Sequence, residues 1–268
     1  RNNYTLDKKI ELKLHNFILS KKTKSNKLKN IILKKYLNKN NYFFILSFQI
    51  RSQKEFETKL KKLSNLFGKL QNQNSKKEKI IKIRAKKNNK KKYDLKNKLR
   101  YHQTNTGGSI HTDGPQLFNT PKYLIMGCFK QSQNGGENII VNTKKIYGKL
   151  NYKTKKLLKN DFLFERRGFK KKIFSKPIFE ISKKKFIFRY LREYLVKAYE
   201  IKKISLDRDR AKSLLLVDKM LGQSKNQVQL KLKEKQVIII NNHICAHGRR
   251  KFKIEKNNPR LFYRLWAH

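Results

Sequence analysis

Three stretches of this chain carry neither lysine nor arginine: residues 101–121 (YHQTNTGGSIHTDGPQLFNTP), 131–143 (QSQNGGENIIVNT) and 236–248 (QVIIINNHICAHG). Everywhere else cations crowd in, with 69 Lys and Arg against 18 Asp and Glu in 268 residues and a formal net charge of +51. A lysine head group resists burial without a partner, so a cation-free window in such a chain marks the interior of a sheet. It equally marks a place where another cation, a metal ion, has to sit. Both explanations stand at this point, and they constrain the fold more tightly than any other feature of the sequence.

The charge itself says less. The first hundred residues hold 31 of the basic and 6 of the acidic side chains, so the excess is spread along the whole chain. Lys dominates and is accompanied by abundant Asn and Ile, the residues that A/T-rich codons specify. A nucleic-acid binder gathers its cations on one face or tail and brings Arg and aromatics with them. Compositional bias is therefore favoured over a selected polyanion surface, and no specific nucleic-acid partner is expected. The best apolar stretch, Asn41 to Ile50, is far shorter than the roughly 18 residues a membrane span requires, so no membrane segment is expected either. Phe17, Ile18 and Leu19 are the only consecutive apolar run of the first twenty residues, which does not make a secretion signal. The chain opens on Arg1 rather than Met, so it is expected to continue upstream. Cys128 and Cys245 each lie inside an apolar stretch and read as buried thiols, which fits a cytoplasmic location.

Periodicity divides the chain near residue 100. Residues 1–40 space Leu and Ile as helices do, residues 42–50 read as a buried strand, and residues 55–70 read as a helix with Phe56, Leu60, Leu63 and Phe67 on one face. Residues 71–100 read as a Lys/Asn/Gln-rich connector in a mobile surface loop. From Tyr101 onward short β-rich runs follow at 123–129, 138–141, 162–165, 186–190, 228–232, 237–241 and 261–266, with one helix at about 207–221. Gly107-Gly108, Gly135-Gly136 and Asn257-Asn258-Pro259 supply turns. The pattern predicts a mainly β fold with flanking helices, a sandwich or jelly roll. We expect one domain over 1–268, with 1–100 a helical region holding one core strand and 101–268 the β core.

Within the silent windows, His111 and Asp113 stand two apart, and positions i and i+2 of a strand share a face. His247, in the third window and followed by Gly248, is the best third ligand. Two His and one carboxylate with open positions form the facial triad of non-haem Fe(II) oxygenases. His243 and His247 also make a His-x-x-x-His pair, a zinc-helix spacing, though without the Glu of His-Glu-x-x-His and in a strand-like context.

Taken together, His111-Thr112-Asp113-Gly114, Gly135-Gly136-Glu137-Asn138, the run from Asn241 through Phe252 (NNHICAHGRRKF) and the run from Arg260 to Trp266 (RLFYRLW) resemble the Fe(II)/2-oxoglutarate dioxygenases of the taurine dioxygenase group. That group includes the clavaminate synthase and γ-butyrobetaine hydroxylase relatives, and the likeness covers residues 101–268 in order. It implies a double-stranded β-helix of the jelly-roll, clavaminate synthase-like kind, with iron on His111, Asp113 and His247. It implies 2-oxoglutarate as cosubstrate, held by Arg260, and O2 as oxidant, with release of succinate and CO2. Arg264 matches a position that in several relatives meets the anionic end of the prime substrate, here expected to be a small anionic molecule. The chemistry agrees, because a far carboxylate is best gripped by a planar, always-charged fork, which Arg supplies and Lys does not.

Two departures stand out. Relatives commonly place Thr or Ser where Asn138 stands, to bind the cosubstrate carboxylate; the Asn138 amide is the expected donor, with Thr143 in reserve. Relatives often read Asp-Asn where this chain has Asn241-Asn242. The Asp113 ligand points to hydroxylation, since a halide would need its place; desaturation and oxidative cleavage stay open. Two other readings remain, a basic nucleic-acid-binding protein on the same fold and an oxygenase that modifies nucleic acid.

Overall fold

The two most apolar segments of the sequence lie next to each other in space. Strand β1 (Phe43–Ser47) pairs antiparallel with β10 (Gln236–Asn241), placing Phe43 opposite Ile240 and Ile45 opposite Ile238. The computed structural model describes residues 4–39, 42–85, 104–166, 172–255 and 259–268. In it β10 pairs in turn with β3 (Tyr123–Lys130), β3 with β12 (Leu261–Ala267), and β12 with β2 (Ile80–Ile83), giving an antiparallel sheet in the order β1-β10-β3-β12-β2. A second antiparallel sheet runs β11-β4-β9, from Cys245–Arg249, Asn138–Asn142 and Gln227–Leu230.

The inner faces of these sheets share one core: Leu124, Cys128, Ile238, Ile240, Phe262 and Trp266 from the larger, Ile140 and Cys245 from the smaller. The other face of the larger sheet is also buried. Tyr123, Ile125, Val237, Ile239, Tyr263 and Leu265 pack against the N-terminal helices α1 (Lys8–Leu19), α2 (Asn26–Ile32) and α3 (Gln53–Phe67). Burial on both faces explains why β10 reads as a continuous apolar run rather than as an alternation. The smaller sheet is covered by its own cluster, in which Ile139, Val141 and Ala246 meet helices and hairpins of residues 146–221. The two sheets with their covers form the jelly-roll arrangement that the strand pattern predicts.

Helix α3 shows how the N-terminal region is fastened. Ser52 caps it by accepting the Glu55 N–H at 3.1 Å, and the Glu55 carboxylate accepts the Arg51 N–H at 2.8 Å, so orphan donors at the helix start are satisfied from both sides. Phe56, Leu60, Leu63 and Phe67 are all buried, as their spacing predicts. The helix comes so close to β3 that a Cβ on Gly127 would lie 2.8 Å from Phe56 and 2.9 Å from Leu60.

The sequence pattern missed several elements. Ile80–Ile83, inside the stretch read as a connector, is strand β2 at the edge of the larger sheet; residues 86–100 of that stretch lie outside the described residues, as do Asn257 and Asn258. In place of the one helix expected after residue 100 there are four α-helices among the described residues: α4 (Thr143–Lys149), α5 (Tyr152–Leu158), α6 (Arg192–Lys202) and α7 (Arg208–Gly222). The seven-residue α4 and α5 are too short to show a period, and each is set by an Asn cap, Asn142 and Asn151. Two hairpins, β5-β6 (Asp161–Glu165 with Ile173–Pro177) and β7-β8 (Phe179–Ser182 with Lys185–Phe188), add two strands the pattern did not show, β6 interrupted by Lys176 and β7 only four residues long.

Leu60→Ala should lower unfolding free energy by about 2–5 kcal/mol, a buried leucine truncation at a close-packed interface. Leu12→Ala, at a side chain 61% exposed, should change it by less than about 0.5 kcal/mol. Denaturant unfolding of both variants checks the seating of α3; equal effects would contradict it.

Candidate metal centre

Alternation on β11 decides which of its side chains enter the barrel. Ala246 faces the outer cluster while Cys245 faces the inner core, so His247 points inward. A short bridge then brings His111 alongside: His111 N–H donates to His247 O at 2.9 Å and His247 N–H donates to His111 O at 2.7 Å. Asp113 follows two residues later. The three side chains are buried, and their ligand atoms lie within 4.8 Å of one another, the only such cluster among the described residues. His111 Nε2 is 3.9 Å from Asp113 Oδ1, and His247 Nε2 is 3.8 Å from Asp113 Oδ2.

The residues fit a divalent metal of the iron type. His111 Nδ1 lies 2.9 Å from the Ser109 carbonyl, an acceptor only, so Nδ1 carries the proton and Nε2 presents a lone pair. Burial, with His111 nearby, depresses the His247 pKa to about 3, which keeps the imidazole neutral as a metal requires. His247 Nδ1 is buried with no hydrogen-bond partner among the described residues, which departs from the usual orienting contact of a ligand histidine. Burial is the largest single influence on Asp113 and opposes its charge, but the Arg264 guanidinium, the two neighbouring imidazoles and the Trp266 hydrogen bond together outweigh it and hold the carboxyl below the ordinary range. Two imidazole nitrogens and one carboxylate are the donor set of the facial triad.

Asp113 is gripped from four sides. Arg264 Nη1 donates to Oδ1 at 3.0 Å and Trp266 Nε1 donates to Oδ2 at 2.9 Å. The Asn242 side chain accepts the Asp113 N–H at 2.9 Å and donates to its carbonyl at 3.0 Å. Behind Arg264 stands Gln73, buried, whose Oε1 accepts from Arg264 Nε at 2.8 Å and whose Nε2 donates to Arg264 O at 2.7 Å. Sequence reasoning missed Gln73, Trp266 and Asn242 as supports. Trp266 and Asn242 lie inside the quoted motifs, whereas nothing in the sequence marks Gln73, because its partner is 191 residues away.

Arg260 is buried just before β12. Its guanidinium stacks over Phe262, 3.7 Å from the ring centroid, and its Nε donates to Gln131 Oε1 at 3.1 Å. The Gly135-Gly136 turn reaches this point by close approach: both have positive φ, Gly136 donates to Lys251 O, and a Cβ on Gly135 would stand 2.1 Å from that oxygen. Asn138, two residues beyond, is buried, and its Nδ2 has no partner among the described residues. Thr143 lies elsewhere, its hydroxyl donating to Ile244 O at 2.6 Å. His243 also stays apart: it sits in the turn before β11, its Nε2 is 3.0 Å from Thr120 O, and it joins no metal-ligand cluster. The His-x-x-x-His zinc reading therefore has no helix to stand on.

The sequence profile of the family described as taurine catabolism dioxygenase TauD, TfdA matches residues 32–266. No match is found among curated proteins. Among solved structures, a non-heme iron oxygenase, OrfP, in complex with Fe and alpha-ketoglutaric acid superposes with a TM-score of 0.71 at 11% identity, covering 98% of this chain and 93% of its own. An asparagine oxygenase in complex with Fe(II), 3-hydroxyasparagine and succinate gives 0.67 at 10% identity, covering 100% and 94%. At these identities the likeness is one of fold.

Anaerobic Fe(II) titration should show binding lost in His247→Ala and retained in His243→Ala. Gln73→Ala should weaken binding by about 10-fold or more by freeing Arg264 from its register. Unchanged affinity in Gln73→Ala would show that Arg264 holds Asp113 unaided.

Proposed function

We propose, since the chain belongs to the TauD, TfdA family and is an Fe(II)- and 2-oxoglutarate-dependent dioxygenase, that His111, Asp113 and His247 are its iron ligands and that it hydroxylates a small anionic substrate. The observation that carries this reading is the buried His111, Asp113, His247 cluster, which supplies the facial donor set. When iron, 2-oxoglutarate and O2 are bound, the chemistry supplied is oxidation of a C–H bond coupled to conversion of the cosubstrate to succinate and CO2.

The protein's own side chains bind and orient. Arg260 grips the far carboxylate of 2-oxoglutarate, its plane already fixed by Phe262 and Gln131, so little freedom is lost on binding. Asn138 Nδ2 offers a second donor from the inner face of β4. Arg264 has two duties. Nε and Nη1 are committed to Gln73 and Asp113, while Nη2, with no partner among the described residues, is left to take the anionic end of the substrate. The apolar inner faces around Phe262 and Trp266 keep bulk water from the reacting centre.

A small substrate also suits the neighbours, whose structures contain 3-hydroxyasparagine in one case and L-Arg in another. Amino acids and other small carboxylates, sulfonates and phosphonates are therefore the first compounds to screen. Residues 1–268 act as one dioxygenase domain in this reading, the N-terminal region serving as the outer cover of the barrel. No helix among the described residues is long and apolar enough to cross a membrane. The buried Cys128 and Cys245 side chains suit a cytoplasmic setting.

Succinate formation from 2-oxoglutarate should require Fe(II), rise with the correct small substrate, and vanish in Asp113→Ala. Arg260→Lys keeps the charge but loses the fork, so KM for 2-oxoglutarate should rise about 10- to 100-fold, as expected for losing roughly 1.5–3 kcal/mol of charged hydrogen bonding. An unchanged KM would move the cosubstrate anchor to Arg249, whose buried guanidinium donates to Thr104 O and Thr106 O.

A further inference from the structure

A cavity of about 700 Å³ opens beside the Asn241–Ile244 turn that precedes β11. None of His111, Asp113, His247 or Arg260 lines it. Its walls are the loop Phe118–Thr120 with Lys122, the β7-β8 hairpin, the Asn241–Ile244 turn and His268. Six permanent cations face it: Lys122, Lys144, Lys183, Lys184, Lys185 and Arg189. No Asp or Glu does. Glu180 pairs with Lys185 and Arg189 from the side, and the other four cations have no carboxylate partner among the described residues.

Lysine is common throughout this chain, so its presence alone decides nothing. Arg189 is the informative residue. It is 2% exposed, its Nε donates to Thr120 Oγ1 at 3.0 Å and its Nη2 donates to Glu180 Oε2 at 2.6 Å, yet Nη1 is buried with no acceptor among the described residues. A guanidinium desolvated in a wall of lysines, with only one carboxylate beside it, leaves positive potential that an anion would offset. The lining is not wholly polar. Phe118, 72% exposed with Lys176 Nζ 5.4 Å from its ring centroid, and Phe186 line it beside the lysines, with Ile181 and Ile187.

We propose that this cavity is a binding site for a nucleoside polyphosphate, separate from the oxygenase centre. A monocarboxylate would leave most of the six cations unmatched, whereas a polyphosphate spreads several charges over a few ångströms. The exposed ring of Phe118 is a stacking platform for a flat base. The volume lies within the range of small-ligand pockets. The floor of the cavity is also joined to the metal centre. Thr120 and Asn241 line it, and the neighbouring Asn242 side chain donates to both Pro121 O and Asp113 O.

The test is calorimetric titration of the full chain with adenosine triphosphate, inorganic tripolyphosphate and a short single-stranded RNA at about 0.15 M salt, where diffuse attraction is largely screened. The expected result is one nucleotide per chain, bound more tightly than tripolyphosphate. The double variant Lys183→Ala/Lys184→Ala should weaken it about tenfold or more, while Lys8→Ala/Lys9→Ala, the same charge change at helix α1, leaves it unchanged. Phe118→Ala should erase the preference over tripolyphosphate, and Arg189→Gln should weaken both ligands. Equal losses from the two lysine pairs, or RNA displacing the nucleotide, would overturn the proposal in favour of a diffuse or nucleic-acid-directed charge. Iron and 2-oxoglutarate take no part in this measurement, so its failure leaves the oxygenase reading intact.

Discussion

One buried carboxylate organises this protein. Asp113 is 4% exposed, and Arg264 and Trp266 engage one oxygen each to help its charge survive burial. Those two residues sit on β12, so the strand has to lie beneath the ligand turn with its inner face turned toward it. Asn242 has to fold back from the end of β10 to hold the Asp113 backbone. Gln73 has to cross from the N-terminal region to hold Arg264. The requirement of one charge thus ties together segments from both ends of the chain.

The surrounding structure makes that arrangement rigid. The larger sheet is covered on one face by helices α1 to α3 and on the other by the smaller sheet, leaving no freedom for β12 to slide. A one-residue slip would turn Arg264 and Trp266 away from Asp113 and bring Tyr263 and Leu265 into the barrel. The N-terminal region, which carries no recognisable motif, contributes through packing and through Gln73.

The cation-free windows proved informative for a physical reason. All three converge: residues 111–113 carry two of the clustered side chains, 138–142 form the middle strand of the smaller sheet, and 236–248 run from β10 through the turn into β11. Sheet interior and metal cluster were offered as alternative causes, and they occupy the same place. Strands with continuous apolar runs, such as β10 and β3, were legible because burial on both faces leaves no polar alternation to confuse. Strands β2 and β6 were not, since Lys82 and Lys176 interrupt them, nor was β7, whose four residues are too few to show an alternation; only tertiary contacts decide the backbone there. Gln73 was invisible for the same reason, being defined by a partner distant in sequence, and the cavity around Arg189 draws its lining from six separate segments.

The most direct measurement is a crystal structure of the chain grown anaerobically with Fe(II) and 2-oxoglutarate, with anomalous data collected on both sides of the iron absorption edge. The account predicts a single iron peak bonded to His111 Nε2, His247 Nε2 and the Asp113 carboxylate, with the far carboxylate of 2-oxoglutarate on Arg260. An iron peak beside His243 and His268, or a cosubstrate lying away from Arg260, would contradict it.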